Sequence, residues 1–102
     1  MRFNVSTEAV DDREIYITGN FNNWNPKDRA FQLKQSNHDT FFIEIDDDSL
    51  PEKIEYKFTK GGWENVELDA YGNITPNRKA EKSQGQTADI VEKWRLNWGP
   101  FK

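Results

Sequence analysis

Two tryptophans stand in segments whose other residues favour exposed turns. Trp24 lies within Gly19–Pro26, with the sequence GNFNNWNP, and Trp63 directly follows the Gly61-Gly62 pair. Asn, Gly and Pro residues build turns rather than the interiors of strands or helices. A large flat ring on a turn serves either packing or the binding of a ligand that has an apolar face. The chemistry that such a ring offers is stacking, while neighbouring polar groups orient what is stacked.

The segments that must position these rings alternate apolar and polar residues, as half-buried antiparallel strands do. The alternation is clearest in Ile15–Thr18, Phe41–Ile45 and Ile54–Thr59. Weaker strands are predicted at Arg2–Ser6, Ala30–Lys34, Trp63–Asp69 and Thr87–Trp94. The last of these also has apolar residues at helical spacing, but we interpret it as a strand. About seven short strands predict an all-β protein with the architecture of an antiparallel β-sandwich.

Strand parity assigns the side chains of Ile54–Thr59 to two faces. Successive side chains of a strand point to opposite sides, so the apolar residues of this segment are expected to face the core together. Glu55 and Lys57 then face outward, with Thr59 on the same side. The sequence therefore predicts polar groups along the outer face of this strand.

Trp63 is predicted to share that outward face. If Trp63–Asp69 is a strand with its apolar residues inward, Trp63 lies on the opposite side together with Glu67. The intervening Gly61-Gly62 predicts a hairpin with the preceding strand. Because side chains on one face of paired strands are neighbours, Trp63 would then lie near Lys57.

A ring beside polar groups suits a sugar. The apolar face of a glucose ring can lie flat on an indole and remove apolar area from water at ~25 cal/mol per Å2. Neighbouring donors and acceptors can bind the hydroxyl groups. Because those hydroxyls are well hydrated beforehand, we expect weak binding, with a dissociation constant on the order of micromolar to millimolar.

The composition argues against several other functions. The 102 residues suffice for one domain, and the net charge of -4 comes without any basic stripe that could neutralise phosphates, so no nucleic-acid partner is expected. The absence of cysteine excludes disulfides and thiol chemistry. No window approaches about 18 apolar residues, and the N-terminus lacks a signal-peptide apolar region. We expect a soluble domain without a membrane partner; its compartment is left open, with secretion or the periplasm following if it serves a glycan-degrading enzyme.

Catalytic and metal sites are not predicted. His38 is the only histidine, and it stands in a turn-forming segment without a nucleophile to partner it. Glycoside hydrolysis needs two carboxyl groups across a cleft, whereas the acidic residues here fall in turns or on strand exteriors of a small domain. Asp46–Asp48 lacks the alternating spacing and the glycine of a calcium loop. We therefore expect no catalytic residue, no metal ligand and no cofactor.

The order of four motifs resembles a known family. GNFNNW at Gly19–Trp24, IEYKF at Ile54–Phe58, GWE at Gly62–Glu64 and PNR at Pro76–Arg78 are together similar to the starch- and glycogen-binding modules, carbohydrate-binding module families 20 and 48. The chain looks most similar to modules that precede bacterial esterase-like or glycan-degrading catalytic domains. The resemblance implies an immunoglobulin-like sandwich. We expect residues 1–96 to form the module and residues 97–102 to be a C-terminal tail or linker.

The same resemblance implies a set of carbohydrate-binding residues. By motif these are Trp24, Lys57 and Trp63, with Glu55 and Asn77 as further polar members. The implied ligand is an α-1,4-glucan, such as starch, glycogen or a maltooligosaccharide, held beside a covalently linked catalytic domain. Two other interpretations stay open: a degenerate module that has lost sugar binding and acts as a structural or protein-interaction domain, and a small standalone hydrolase.

Overall fold

The computed structural model describes residues 1–7 and 13–95. Within them the chain forms strands and single 3₁₀ turns, and none of the described helices has the length and apolarity to cross a bilayer. The predicted tail, residues 97–102, lies outside the described residues. The strands are β1 (Arg2–Thr7), β2 (Tyr16–Gly19), β3 (Lys34–Asn37), β4 (Thr40–Glu44), β5 (Lys53–Thr59), β6 (Glu67–Leu68), β7 (Arg78–Glu81), β8 (Gln86–Val91) and β9 (Lys93–Trp94).

Two sheets pack face to face. One has the strand order β3-β4-β1-β8, the other has the order β2-β5-β7, and β6 pairs with β9 as a short ribbon. The predicted all-β sandwich is confirmed. One pair departs from the antiparallel expectation, because β1 and β8 run parallel. These two strands lie at opposite ends of the chain, and parallel neighbours are joined by long connections rather than by the tight turns that sequence patterns reveal.

The core lies between the sheets, with rings from both at its centre. Phe3 of β1 meets Tyr56 of β5 edge to face, with 5.1 Å between ring centroids. Tyr56 in turn meets Phe58 at 5.7 Å. All three are at most 2% exposed, so the inward direction predicted for the apolar residues of β5 is confirmed. Aliphatic side chains surround the rings, among them Val5, Ile15, Ile17, Ile54 and Val91.

The prediction of a strand at Ala30–Lys34 is wrong for Ala30 and Phe31. Arg29–Phe31 forms a 3₁₀ turn, Gln32 forms an isolated antiparallel bridge with Tyr16, and the next strand begins at Lys34. The Asp28 carboxylate accepts the Ala30 backbone N–H at 3.1 Å and so caps the turn. A side chain that bonds to the backbone in this way favours a turn over a strand, and the apolar alternation of the segment conceals it.

The prediction of a strand at Trp63–Asp69 is wrong for Trp63–Asn65. Trp63–Asn65 is a 3₁₀ turn, closed by the Gly62 carbonyl, which accepts the Asn65 N–H at 3.0 Å. Strand β6 follows and covers only two residues. Conversely, β7 was not predicted, because its only buried residue is Ala80 and its other positions are charged.

A network of charged side chains closes the sandwich where β5, β6, β7 and β8 meet. Arg78 donates to both oxygens of the Glu67 carboxylate at 2.6 to 3.0 Å, and to Asp89 at 3.2 Å. Glu67 also accepts the backbone N–H of Phe58 at 3.0 Å, and Tyr56 donates to Asp89 at 2.6 Å. Parity had predicted an outward Glu67. That prediction is wrong: Glu67 is 0% exposed, because its partners satisfy the carboxylate inside the fold.

Tyr56 gives the fold a dependence on alkaline pH. Burial, followed by the hydrogen bond and charge of Asp89, raises the pKa of Tyr56 above its ordinary value of 10.0. The folded state therefore favours the neutral phenol, and the resulting stability is fully present below about pH 10 and is lost as the pH rises toward the folded pKa. We therefore expect the urea concentration at the midpoint of wild-type unfolding to fall as the pH rises above 10.

Replacement of Tyr56 by phenylalanine tests this assignment. Tyr56→Phe keeps the ring and removes the hydroxyl, so it should cost about 1.5–3 kcal/mol near neutral pH, as expected for a hydrogen bond to a charged group. The measurement is urea unfolding from pH 7 to 11, in which the variant should lose stability less steeply than the wild type above pH 10. An equally steep alkaline loss in both proteins would show that another group is responsible.

Candidate functional site

Trp24 and Trp63 contact each other beyond the C-terminal end of β5. Their ring centroids lie 6.5 Å apart, and their planes are inclined by 39°. Trp63 is 41% exposed, and Trp24 is partly exposed. Neither ring is a member of the core cluster. The two tryptophans that the sequence singles out thus form one aromatic surface, which we call the tryptophan pair.

The loop that carries Trp24 is held against β5 near both of its ends. At one end the Asn20 backbone N–H donates to the Glu55 carbonyl at 3.1 Å, and at the other the Thr59 hydroxyl donates to the Pro26 carbonyl at 2.6 Å. Gly19 lies so close to β5 that an added Cβ would stand 2.2 Å from the Glu55 carbonyl oxygen. Only glycine fits there, so the sequence of this loop is matched to its path along the strand.

Two consecutive residues of that loop have left-handed backbone conformations. Asn23 has a φ of 57°, and Trp24 has a φ of 56°. Asparagine tolerates this region, but a bulky residue there is strained by about 1–3 kcal/mol and persists only where the surrounding structure enforces it. Such strain clusters at functional sites. Here it turns the Trp24 ring toward Trp63 instead of into the core.

Trp63 is exposed, as predicted, although for a different reason. The parity rule applies to strands, whereas Trp63–Asn65 is a 3₁₀ turn. The predicted hairpin is nevertheless present, since Thr59 and Val66 form an antiparallel bridge and the Lys60 N–H donates to the Asn65 carbonyl at 3.1 Å. Gly61, with a φ of 109°, makes the reversal possible. The exposure of Trp63 therefore comes from the turn between β5 and β6.

Lys57 does not face solvent as predicted. The side chain lies on the face of β5 opposite the core, which we call the outer face, but it is only 7% exposed. Its ammonium group donates to the Thr75 carbonyl, because the chain after β6 returns across this face. Burial lowers the pKa of Lys57, and the nearby Glu67 charge opposes that shift. Lys57 therefore lies on the predicted face of β5, but its predicted exposure is wrong because a later segment covers that face.

Glu55 and Asn77 form a polar pair toward the N-terminal end of β5. The Asn77 side-chain amide donates to the Glu55 carboxylate at 3.2 Å. Glu55 is partly exposed, and Asn77 is exposed. Glu55 and Thr59 are four residues apart on β5, so the polar pair and the end of the strand near the tryptophan pair are ~13 Å apart. Four of the five predicted site residues thus form two pairs, and Lys57 lies between the pairs.

The remaining candidates take structural or exposed positions. Trp94 is 9% exposed and donates through its indole N–H to the Thr7 hydroxyl at 2.8 Å, so its ring packs inside the fold. His38 is exposed in the turn between β3 and β4. Among residues 1–7 and 13–95, no group of three or more His, Asp or Glu side chains is placed to hold a metal ion. Thr59, which the sequence did not mark as a site residue, holds the Trp24 loop in place.

Comparisons with known proteins relate the chain to parts of much larger enzymes. It is 36% identical over 103 residues to an amylopullulanase of Thermoanaerobacter thermohydrosulfuricus, and 34% identical over 101 residues to one of Thermoanaerobacterium thermosulfurigenes. It is also 31% identical over 98 residues to an alpha-amylase of Niallia circulans. These matches cover 91% to 92% of this chain but span only 5% to 7% of the length of the relatives.

A solved structure shares the fold. A glycoside hydrolase family 15 glucoamylase from Hypocrea jecorina superposes with a TM-score of 0.51 at 17% identity, covering 90% of this chain and 17% of that chain. No model of a known protein family matches the chain. The chain is therefore homologous, over nine-tenths of its length, to short segments of large amylolytic enzymes.

Proposed function

We propose that the chain is a non-catalytic module that binds α-1,4-glucan, such as starch, glycogen or maltooligosaccharides, through the tryptophan pair. The observation that carries this proposal is the contact between two partly exposed indoles whose planes are inclined by 39°. Coplanar rings would suit a flat ligand. Inclined rings offer a bent apolar surface, which suits the curvature of an α-1,4-linked glucose chain.

The polar residues of the outer face supply the hydrogen bonds in this proposal. A carboxylate and an amide have several acceptor and donor positions, so Glu55 and Asn77 can bind sugar hydroxyls beyond the bond that joins them. Lys57 has three ammonium donors, one of which is directed to Thr75. We place it beneath the ligand, where it supports the segment that covers it and so acts on the sugar-binding surface from below.

The homologous segments support a role beside a catalytic domain. They are short parts of an alpha-amylase and two amylopullulanases, as expected of an ancillary domain. A binding module linked to a catalytic domain raises the effective concentration of substrate near the active site. Weak, reversible binding serves this purpose, because the enzyme must move along an insoluble or branched substrate.

Adsorption of the isolated chain to granular starch tests the proposed function. We expect the protein to leave the supernatant with starch and to be released by millimolar maltoheptaose, whereas microcrystalline cellulose should retain little of it. Reducing ends should not accumulate in the same samples. Equal retention on both polysaccharides, or none on either, would favour the degenerate structural domain. Release of reducing sugar would indicate a hydrolase.

A further inference from the structure

The chain exposes a third aromatic ring, apart from the tryptophan pair. Tyr71 is 87% exposed. It lies at the tip of a hairpin whose two arms are joined by an antiparallel bridge between Leu68 and Ile74. Ile74, on the same hairpin, is 56% exposed. Sugar binding by the tryptophan pair, Glu55 and Asn77 does not use this hairpin.

The tip of the hairpin is fixed by hydrogen bonds around Asp69. One carboxylate oxygen of Asp69 accepts the backbone N–H groups of Tyr71 and Asn73, both at 2.9 Å. The Asp69 backbone also bonds to Asn73 at 2.9 Å and to Gly72 at 3.0 Å. The Tyr71 backbone is thus held in one conformation before any ligand arrives, which lowers the entropy lost on binding.

The returning arm of the hairpin ends against the outer face of β5. In the chain it lies between Trp63 and Asn77, which belong to the two groups of the candidate site. Its returning arm leads to Thr75, whose carbonyl accepts the Lys57 ammonium group. Because Lys57 is central on that face, the base of the hairpin lies between the tryptophan pair and the Glu55–Asn77 pair. A glucan on the outer face would pass beside it.

We propose that Tyr71 is a third sugar-stacking residue, which binds glucose units of an α-1,4-glucan chain that extends beyond the tryptophan pair. The inference rests on the proposed function, since it extends the same ligand over a second part of the outer face. A phenol ring offers an apolar face for stacking and a hydroxyl for a hydrogen bond. The contribution of Tyr71 therefore depends on the length of the ligand: a short oligosaccharide on the tryptophan pair does not reach it, and a longer one does.

Calorimetric titration with maltotriose and maltoheptaose tests the role of Tyr71. We expect Tyr71→Ala to weaken maltoheptaose binding by ~5- to 10-fold, the effect of losing one partial stacking contact, and to leave maltotriose binding unchanged. Tyr71→Phe keeps the stacking face and should retain most of the affinity for maltoheptaose. Ile90→Ala removes another exposed apolar side chain, on β8 of the other sheet, and should change neither affinity.

Two results would overturn the role of Tyr71. If the wild type and Tyr71→Ala bind maltoheptaose equally well, the ring makes no contact with the chain, although the proposed function stands. If Tyr71→Ala weakens both sugars by the same factor, the hairpin supports the fold of the site and does not extend it. If the wild type binds neither sugar, both the proposed function and the role of Tyr71 are wrong.

Discussion

Replacement of Trp63 by alanine is expected to lower the affinity for maltoheptaose by ~30- to 150-fold. An aromatic side chain buries 150–250 Å2 in a full contact, so one indole face buries roughly half of that, worth ~2–3 kcal/mol at 25 cal/mol per Å2. Trp63 is the more exposed member of the pair and has no place in the core, so the folded structure should persist. Trp24→Ala should cause a comparable loss, because its ring forms the other half of the surface.

Fluorescence titration with maltoheptaose measures this effect, and thermal unfolding checks that each variant is folded. Trp63→Phe is the matched control, since it keeps a smaller stacking face and should bind with an affinity between those of the wild type and Trp63→Ala. If both alanine variants bind as tightly as the wild type, the ligand occupies another surface. The binding function would then survive, but the tryptophan pair would have no part in it.

Among the variants proposed for this protein, Glu67→Ala should cause the largest decrease in the free energy of unfolding. Removing one partner of a buried ion pair costs about 3–5 kcal/mol, and we expect about 3 kcal/mol because the Arg78 side chain keeps 23% exposure and its contact with Asp89. The Phe58 N–H also loses its acceptor. For a domain of this size the melting temperature should fall by roughly 12–24 °C.

Two further variants separate the causes of that loss. Glu67→Gln keeps an acceptor for the Phe58 N–H and removes the charge, so its loss should be smaller than that of the alanine variant. Glu92→Ala removes an exposed carboxylate and should leave stability within about 0.5 kcal/mol of the wild type. The assignment fails if Glu67→Ala and Glu92→Ala melt at the same temperature.

The sequence predicts best where a single interaction decides the structure. Apolar alternation in Ile54–Thr59 correctly predicts β5 and its inward residues. Burial of the side chains on one face outweighs the conformational propensities of the single residues there. The glycine pair before Trp63 predicts the hairpin correctly, since few residues other than glycine adopt the φ of 109° found at Gly61. Turn-forming neighbours mark Trp24 and Trp63 as candidate surface rings, whereas their place in one site was implied by the family resemblance.

The predictions fail where segments distant in sequence meet. Lys57 is covered by the carbonyl of Thr75, and Glu67 is buried because Arg78 returns to it from β7. Nothing near either residue marks these contacts, and strand parity alone assigns both side chains to solvent. Parity also fails at Trp63–Asn65, where local hydrogen bonding forms a 3₁₀ turn instead of a strand.

The most direct test of glucan binding by the tryptophan pair is a titration of the 15N-labelled chain with β-cyclodextrin, following the indole N–H resonances of its tryptophans. The signals of Trp24 and Trp63 should shift progressively and saturate at micromolar to millimolar sugar. The Trp94 signal should stay in place, because its N–H is buried against the Thr7 hydroxyl. Signals of Trp24 and Trp63 that remain unmoved at ~10 mM sugar, well above the expected dissociation constant, would contradict the account.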